Sequence, residues 1–318
     1  MADVILGASS TGTGVTQLTN QILTSYQRTA YFALRAGTIF DQFASVKPGD
    51  LTSPGNPVKF LIWSDMSAAT TALDEGVDVA ARTLSDSLVT VTPAEYGDAI
   101  ILTLRLRGED FLIGFDANIA NLLAYGQMNT IDKLALTAIN AGTNIYYMGY
   151  TGDTVIAATT GKITVSGVRR MRANLAGADA IPWDSSSFAG VIHPDVAYDL
   201  KSESGDASWV VAASYSDAAR IWNDEIGKFA NIRFVESSRC TLVADLGAGA
   251  VDVYNTYFLG QQSIAKAESI PPHMVLGPVT DKLRRFQPLG WHFMAGWGVF
   301  RQASLWQIHS SSTIGANV

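Results

Sequence analysis

Four histidines (His193, His273, His292 and His309) and one cysteine (Cys240) are the imidazole and thiol groups this chain could use for acid–base, nucleophilic or metal chemistry. The histidines are scattered. None lies in a His-x-x-x-His spacing and no Glu/Cys cluster stands nearby, so no zinc-type ligand set is spelled out. His193 precedes Asp195 by two residues, which suggests a proton-relay pair. His193-Pro194-Asp195 is equally the start of a helix, because proline fits the first turn where its missing N–H costs nothing. The helix start is the commoner case. Cys240 follows Arg239, whose charge favours a thiolate, but no base is identifiable beside it and a passive buried thiol is the simpler expectation. Gly12-Thr13-Gly14 and Gly247-Ala248-Gly249 continue to Gln17 and Asp252, where a dinucleotide fingerprint requires a third glycine. A flexible arm and a hairpin turn account for them. There is no phosphate loop and no Gly-x-Ser-x-Gly elbow. The expectation is therefore no catalytic residue, no cofactor and no metal, with a single cysteine also excluding an intrachain disulfide.

Charge carries more information than the reactive groups. Charged residues make up 16% of the 318 residues, against roughly 25% in an ordinary soluble domain, while 47% are hydrophobic. A surface so poor in charge suits a chain that meets much other protein. The net charge of −7 argues against a dedicated nucleic-acid binder, which is usually strongly basic. Between Asp65 and Asp98 stand Asp65, Asp74, Glu75, Asp78, Asp86, Glu95 and Asp98 against Arg82 alone, so nearly all the net charge sits there. Arg169, Arg170 and Arg172 form the tightest basic cluster, and Lys282, Arg284, Arg285 and Arg301 another. This segregation suits one copy docking its acidic part on a neighbour's basic part. Asp74, Glu75, Asp78, Arg169, Arg170 and Arg172 are the candidate inter-subunit contacts. No apolar run approaches the ~18 residues that span a bilayer, and no basic leader precedes the first apolar residues. A soluble, non-secreted chain with no membrane partner is expected.

The elements that must position these groups follow from periodicity. Residues 7–16 are nearly all Gly, Ser or Thr and read as a flexible arm, followed by a loose helical period to Gly37. Val58, Phe60 and Ile62 alternate as a strand, and Leu88–Thr92 and Ile100–Leu104 suggest two more. The acidic, Ala- and Thr-rich stretch between the first and second of these makes a long β-excursion with a soft tip. Phe111, Phe115, Ile119, Leu122 and Leu123, then Met128, Ile131, Leu134 and Ala138, predict one long helix with this first group on its buried face. Glu109 and Asp110 fall in its first turn, and Gly142 closes it. Val155–Ile163 reads as weak strands, and Val165–Leu175 as a helix bearing the Arg cluster. Tyr198, Leu200, Trp209, Val210 and Tyr215 read as core. Asp224–Phe229 reads as a turn into a strand at Ile232–Val235, and Thr241–Ala244 pairs with Val251–Tyr257. Aromatic-rich alternation from Trp291 to Ile308 ends in a polar tail from Ser310.

Two stretches carry a family resemblance. Phe188-Ala189-Gly190-Val191-Ile192-His193-Pro194-Asp195-Val196-Ala197-Tyr198-Asp199-Leu200 resembles the start of the apical domain in major capsid proteins of tailed bacteriophages. Ile221-Trp222-Asn223-Asp224-Glu225-Ile226-Gly227-Lys228-Phe229, continuing to Ser237, resembles the same family's stretch before its next strand, with Asp224 where the family often has Gly. The match covers about 188–240, and the rest agrees in layout.

The resemblance implies an α+β fold of the Hong Kong 97 type. Its expected parts are an N-terminal arm (1–45), an extended loop (46–100), a peripheral domain with a long spine helix (101–185 and 265–318) and an axial domain (186–264). It implies a structural role: pentamers and hexamers of an icosahedral shell around double-stranded DNA, assembled in the bacterial host cytoplasm. Its partners would be copies of itself, with scaffolding, portal and decoration proteins as further ones and packaged DNA bound only non-specifically. An encapsulin-like compartment shell and a cytosolic α+β enzyme with an unrecognised site are the alternatives.

Overall fold

A computed structural model describes residues 37–47, 57–73, 75–76, 78–79, 81–103, 115–184, 186–203, 225–278, 283 and 285–314. The expected arm at residues 1 to about 20, the helix start at Glu109–Phe111, and the core candidates Trp209, Val210 and Tyr215 lie outside the described residues.

The chain enters through a short 3-10 turn at Phe40–Phe43 and strand β1 (Ala44–Lys47). Strands β2 (Val58–Trp63) and β3 (Asp86–Val91) pair antiparallel as a ribbon. Val58 and Phe60 turn inward and Lys59 and Leu61 outward, as period-two alternation requires. At the ribbon's base Val58, Phe60 and Val91 pack with Ala265, Ala267 and Phe300. After Pro93 the chain continues as β4 (Ala94–Thr103).

Helix α1 runs Phe115–Asn140, about 39 Å at 1.5 Å per residue. Ile119, Leu123, Ile131 and Leu134 face one group of core residues, Ala135, Ala138 and Ile139 another. Gly126 sits where a Cβ would come to 3.7 Å from Trp291 Nε1. Beyond α1 follow β5 (Ile145–Tyr146), helix α2 (Val165–Gly177), β6 (Phe188–Ile192), helix α3 (Pro194–Ser202), β7 (Glu225–Phe229), β8 (Ile232–Glu236), β9 (Leu242–Val243), β10 (Val253–Leu259), β11 (Ile264–Leu276), β12 (Phe286–Val299) and β13 (Leu305–Ser310). Thr164 caps α2 by accepting from Gly167 N–H, and His193 Nδ1 caps α3 by accepting from Asp195 N–H.

Two main sheets result. One has the order β1-β11-β12-β4, the other β5-β13-β10-β6-β8-β7 with β9 added to β10. Strand β10 is buried along its whole length because both faces are covered. Tyr254 and Phe258 meet α2 and α3 on one side, while Tyr257 and Leu259 meet Phe40 and the C-terminal half of α1 on the other. The stretch of α1 from Ile119 to Leu134 packs on Trp291, Phe293 and Ala295 of β12. One helix thus braces both sheets.

Five local expectations are corrected. Val155–Ile163 is not strand but a 3-10 turn at Asp153–Val155 and a tight loop, in which a Cβ on Gly161 would fall 2.6 Å from Ala157 O. Glu225–Phe229 is itself a strand, paired antiparallel with β8. Its turn lies later, at Ala230-Asn231, both at positive φ (48° and 61°), as a two-residue hairpin with the sheet's own twist demands. Leu122 is 50% exposed because it lies one position off the buried stripe of α1, and Tyr198 is 55% exposed on α3. The serines from Ser310 onward are no free tail. Ser310, Ser311 and Ser312 are buried, with Ser311 Oγ donating to Ala157 O and Thr313 N–H to Asp199.

Candidate functional site

The β2–β3 ribbon ends where its supporting layer ends. From Ser64 to Ser85 the described residues have no second layer, and apolar groups stand in solvent: Trp63 is 63% exposed, Leu73 76%, and Met66, Val79 and Leu84 about as much. Exposed apolar groups this large are of the kind found on contact surfaces. Glu75 and Asp78 are exposed on the same excursion, and Asp74 lies outside the described residues. Asp78 Oδ1 accepts a local bond from Val79 N–H. Arg82, the segment's single base, donates through Nη1 to the carbonyl and hydroxyl of Ser67.

The basic candidates share α2. This 13-residue helix contains no acid, and it buries Val168, Met171 and Leu175 against the seven-stranded sheet. Arg169, Arg170 and Arg172 are all exposed. The Arg169 guanidinium lies over the Phe229 ring at 5.7 Å and that of Arg170 over Tyr146 at 4.4 Å, so both cations rest on aromatic faces with their stems laid down. Three carboxylates outside α2 have partners of their own. Glu203 accepts from Val165 N–H, Asp184 pairs with Arg233, and Glu236 with Lys201. Among the described residues no ion pair joins a carboxylate, Glu75 and Asp78 included, to the three arginines.

The groups with reactive chemistry serve the fold. His193 Nδ1 accepts a backbone N–H while Asp195 Oδ2 accepts from Tyr254 Oη at 3.0 Å. Burial holds the imidazole below its ordinary range, outweighing the Asp195 charge 3.4 Å away. The Cys240 thiol is buried, and desolvation pushes its pKa far up, the opposite of an activated nucleophile. His309 Nδ1 meets Asp153 Oδ1 at 2.5 Å and ties β13 to the 3-10 turn. His292 Nε2 meets Glu95 Oε1 at 2.8 Å on the rim of a trough of about 630 Å³. Gly97, Ala99, Val275, Gly277, Pro288 and Gly290 supply much of that trough's wall. Among the described residues no three metal-ligating side chains converge, and no helix is long and apolar enough to cross a membrane.

Sequence reasoning missed a polar stitch in the interior. Asp132 on α1 is almost fully buried; its Oδ1 accepts from Ile39 N–H (2.9 Å) and Phe40 N–H (2.7 Å), and its Oδ2 pairs with Arg239 Nε at 2.7 Å. Arg239 also reaches Asn129 and Tyr125 on the same helix face. Beside it Asp41 joins Lys266 and Trp297 Nε1. An aspartate interrupting the apolar stripe of a helix was the one available signal.

No family model matches the sequence, and no curated protein matches it. Solved structures do. The capsid of cyanophage Pam1 aligns over 99% of this chain and 100% of its own at TM-score 0.71 and 14% identity. The capsid of Ralstonia phage GP4 aligns over 98% and 99% at TM-score 0.70 and 14% identity, and a Mycobacterium phage Che8 structure over 92% and 98% at 0.64 and 17%.

Proposed function

From the fold these alignments establish, the α+β Hong Kong 97-type fold of phage capsids, we propose that this chain is the major capsid subunit of a tailed bacteriophage. Copies of it close into pentamers and hexamers of an icosahedral shell around double-stranded DNA, built in the bacterial host. The observation that carries this reading is the end-to-end match to phage capsid subunits. The ribbon adds support, because its Trp63, Met66, Leu73 and Leu84 stand exposed, as apolar groups that another copy covers would. In this reading residues 1–45 are the arm, 46–100 the extended loop, 101–185 and 265–318 the peripheral domain and 186–264 the axial domain. Partners beyond the chain itself would be scaffolding, portal and decoration proteins, with DNA held without sequence preference.

The test is direct. The chain, expressed alone or with its phage's scaffolding protein, should elute as megadalton particles that negative-stain microscopy shows to be closed shells. A monomer or small oligomer under all such conditions would overturn the reading.

A further inference from the structure

We infer that His273 and His292, the second oriented by Glu95, form a two-imidazole site for a divalent transition metal of the Zn²⁺ class. The site is a cross-strand clip between β11 and β12, and it stands apart from the shell reading.

The sheet brings the pair together. His273 on β11 registers directly opposite His292 on β12, and His292 opposite Gly97 on β4. His292 alternates with Trp291 and Phe293, which pack with α1 residues, so both imidazoles stand on the other face of the sheet. Their ring centres lie 5.5 Å apart with planes crossing at 85°. Two nitrogens on one Zn²⁺ stand about 3.3 Å apart at Zn–N lengths of about 2.0–2.1 Å, a spacing that rings at this separation reach by small turns about χ2. Gly97 keeps the ground beside His292 low. A Cβ there would come 3.8 Å from His292 Cδ2 and 3.0 Å from Trp291 O, and the trough whose wall includes both residues opens beside them.

Each ring has one nitrogen committed and one left over. His273 Nδ1 lies 2.9 Å from Pro271 O and His292 Nε2 lies 2.8 Å from Glu95 Oε1. A carbonyl and a carboxylate both accept, so these nitrogens carry the protons. In the neutral rings the lone pairs then fall on His273 Nε2 and His292 Nδ1, for which the described residues supply no hydrogen bond. An imidazole whose far nitrogen donates to a carbonyl or carboxylate has its tautomer fixed and its basicity raised, the usual second layer of a metal ligand.

The site also falls where the sheet is weakest. Pro271 and Pro272 have no N–H to give the ladder, and the β11–β12 register slips between Ile270 and His273. A metal held by both strands there replaces a cross-link the backbone cannot make. Imidazole nitrogen selects Zn²⁺, Cu²⁺ or Ni²⁺ over Mg²⁺ and Ca²⁺. With two protein ligands, water fills the remaining positions, for which the exposed His273 leaves access.

Calorimetric titration of the untagged, EDTA-stripped chain with zinc sulfate tests the site. One saturable Zn²⁺ per chain is expected, and none with magnesium sulfate. His273→Ala and His292→Gln should each abolish that binding, the glutamine keeping a donor for Glu95. Glu95→Gln should weaken it about 10- to 100-fold. His193→Asn, which removes an imidazole from a helix cap elsewhere, should bind like the unmodified chain. Zn²⁺ should also slow hydrogen exchange of the β11 and β12 amides around the pair, in the unmodified chain but not in His273→Ala. Circular dichroism checks that the variants fold. No saturable Zn²⁺ binding by the unmodified chain, binding that survives both histidine variants, or unchanged affinity in Glu95→Gln would each overturn the inference.

Discussion

Replacing Asp132 by alanine should be among the most damaging single changes to this subunit. The carboxylate holds three donors at once: the amides of Ile39 and Phe40 and the guanidinium of Arg239, whose own side chain is only 11% exposed. Removing one member of a buried ion pair costs about 3–5 kcal/mol, mostly as the charge left behind. Each abandoned amide adds about 1–3 kcal/mol, less where water follows into the space. About 5 kcal/mol or more is therefore expected, set against a typical domain stability of about 5–15 kcal/mol. Asp132→Asn together with Arg239→Met separates charge from capping. The asparagine carbonyl still accepts both amides and no buried charge remains, so the pair should lie within about 2 kcal/mol of the unmodified chain. Urea unfolding of the dissociated subunit reads the difference, and hydrogen exchange at Ile39 and Phe40 reads the capping directly. A cost under about 1 kcal/mol for Asp132→Ala, or a double variant no more stable than the single one, would refute the reasoning.

Phe293 is fully buried between Trp291, Tyr96 and Trp297 under α1, and Phe293→Ala should cost about 3–5 kcal/mol in the same assay. The His193 pKa lies below its unfolded value, so its contribution to stability is present above about pH 6.5 and is lost as pH falls through the folded value. His193→Asn keeps a helix cap without the titration and should flatten the acid side of the stability–pH curve. Cys240 should resist thiol reagents in the native subunit and react at once on unfolding, with prompt native labelling counting against its burial.

Much of the fold was legible where one face of an element meets one layer. The alternation of Val58 and Phe60 placed a strand, and the spacing of Ile119, Leu123, Ile131 and Leu134 placed the helix. Leu122 was misjudged because a stripe one residue wider fits the same apolar string; only the position of β12 decides which edge is covered. Ser310–Ser312 looked like tail because hydroxyls are read as solvent-seeking, yet a loop carbonyl and the Asp199 carboxylate wait for that segment at long range. The exposed apolar groups of the excursion could be read as residues but not as surface. Leu73 and Val79 fall in a stretch read only as a soft acidic tip, and their exposure follows from where the ribbon's packed base ends. Asp132 and Arg239 are far apart in sequence, and nothing local marks either as the other's counter-ion.

Strand β13 lies between β10 and β5, and its register sets Gln307 against Ile145, half the chain away. The middle of the larger sheet therefore stays open while the ribosome works through nearly everything upstream. At about 5–20 residues per second this lasts tens of seconds. From Leu259 to Leu305, about 2–9 s of synthesis at that rate, one edge of β10 waits for β13 as a bare template, the condition in which nascent β-structure is most exposed to strangers. The same arrangement makes the late residues a proof of length. A chain released before Leu305 lacks the strand that closes the sheet and the Gln307 amide that binds the end of α1 through Ile139 O. Such a fragment leaves the open edge of β10 and the Ile139 carbonyl without these partners.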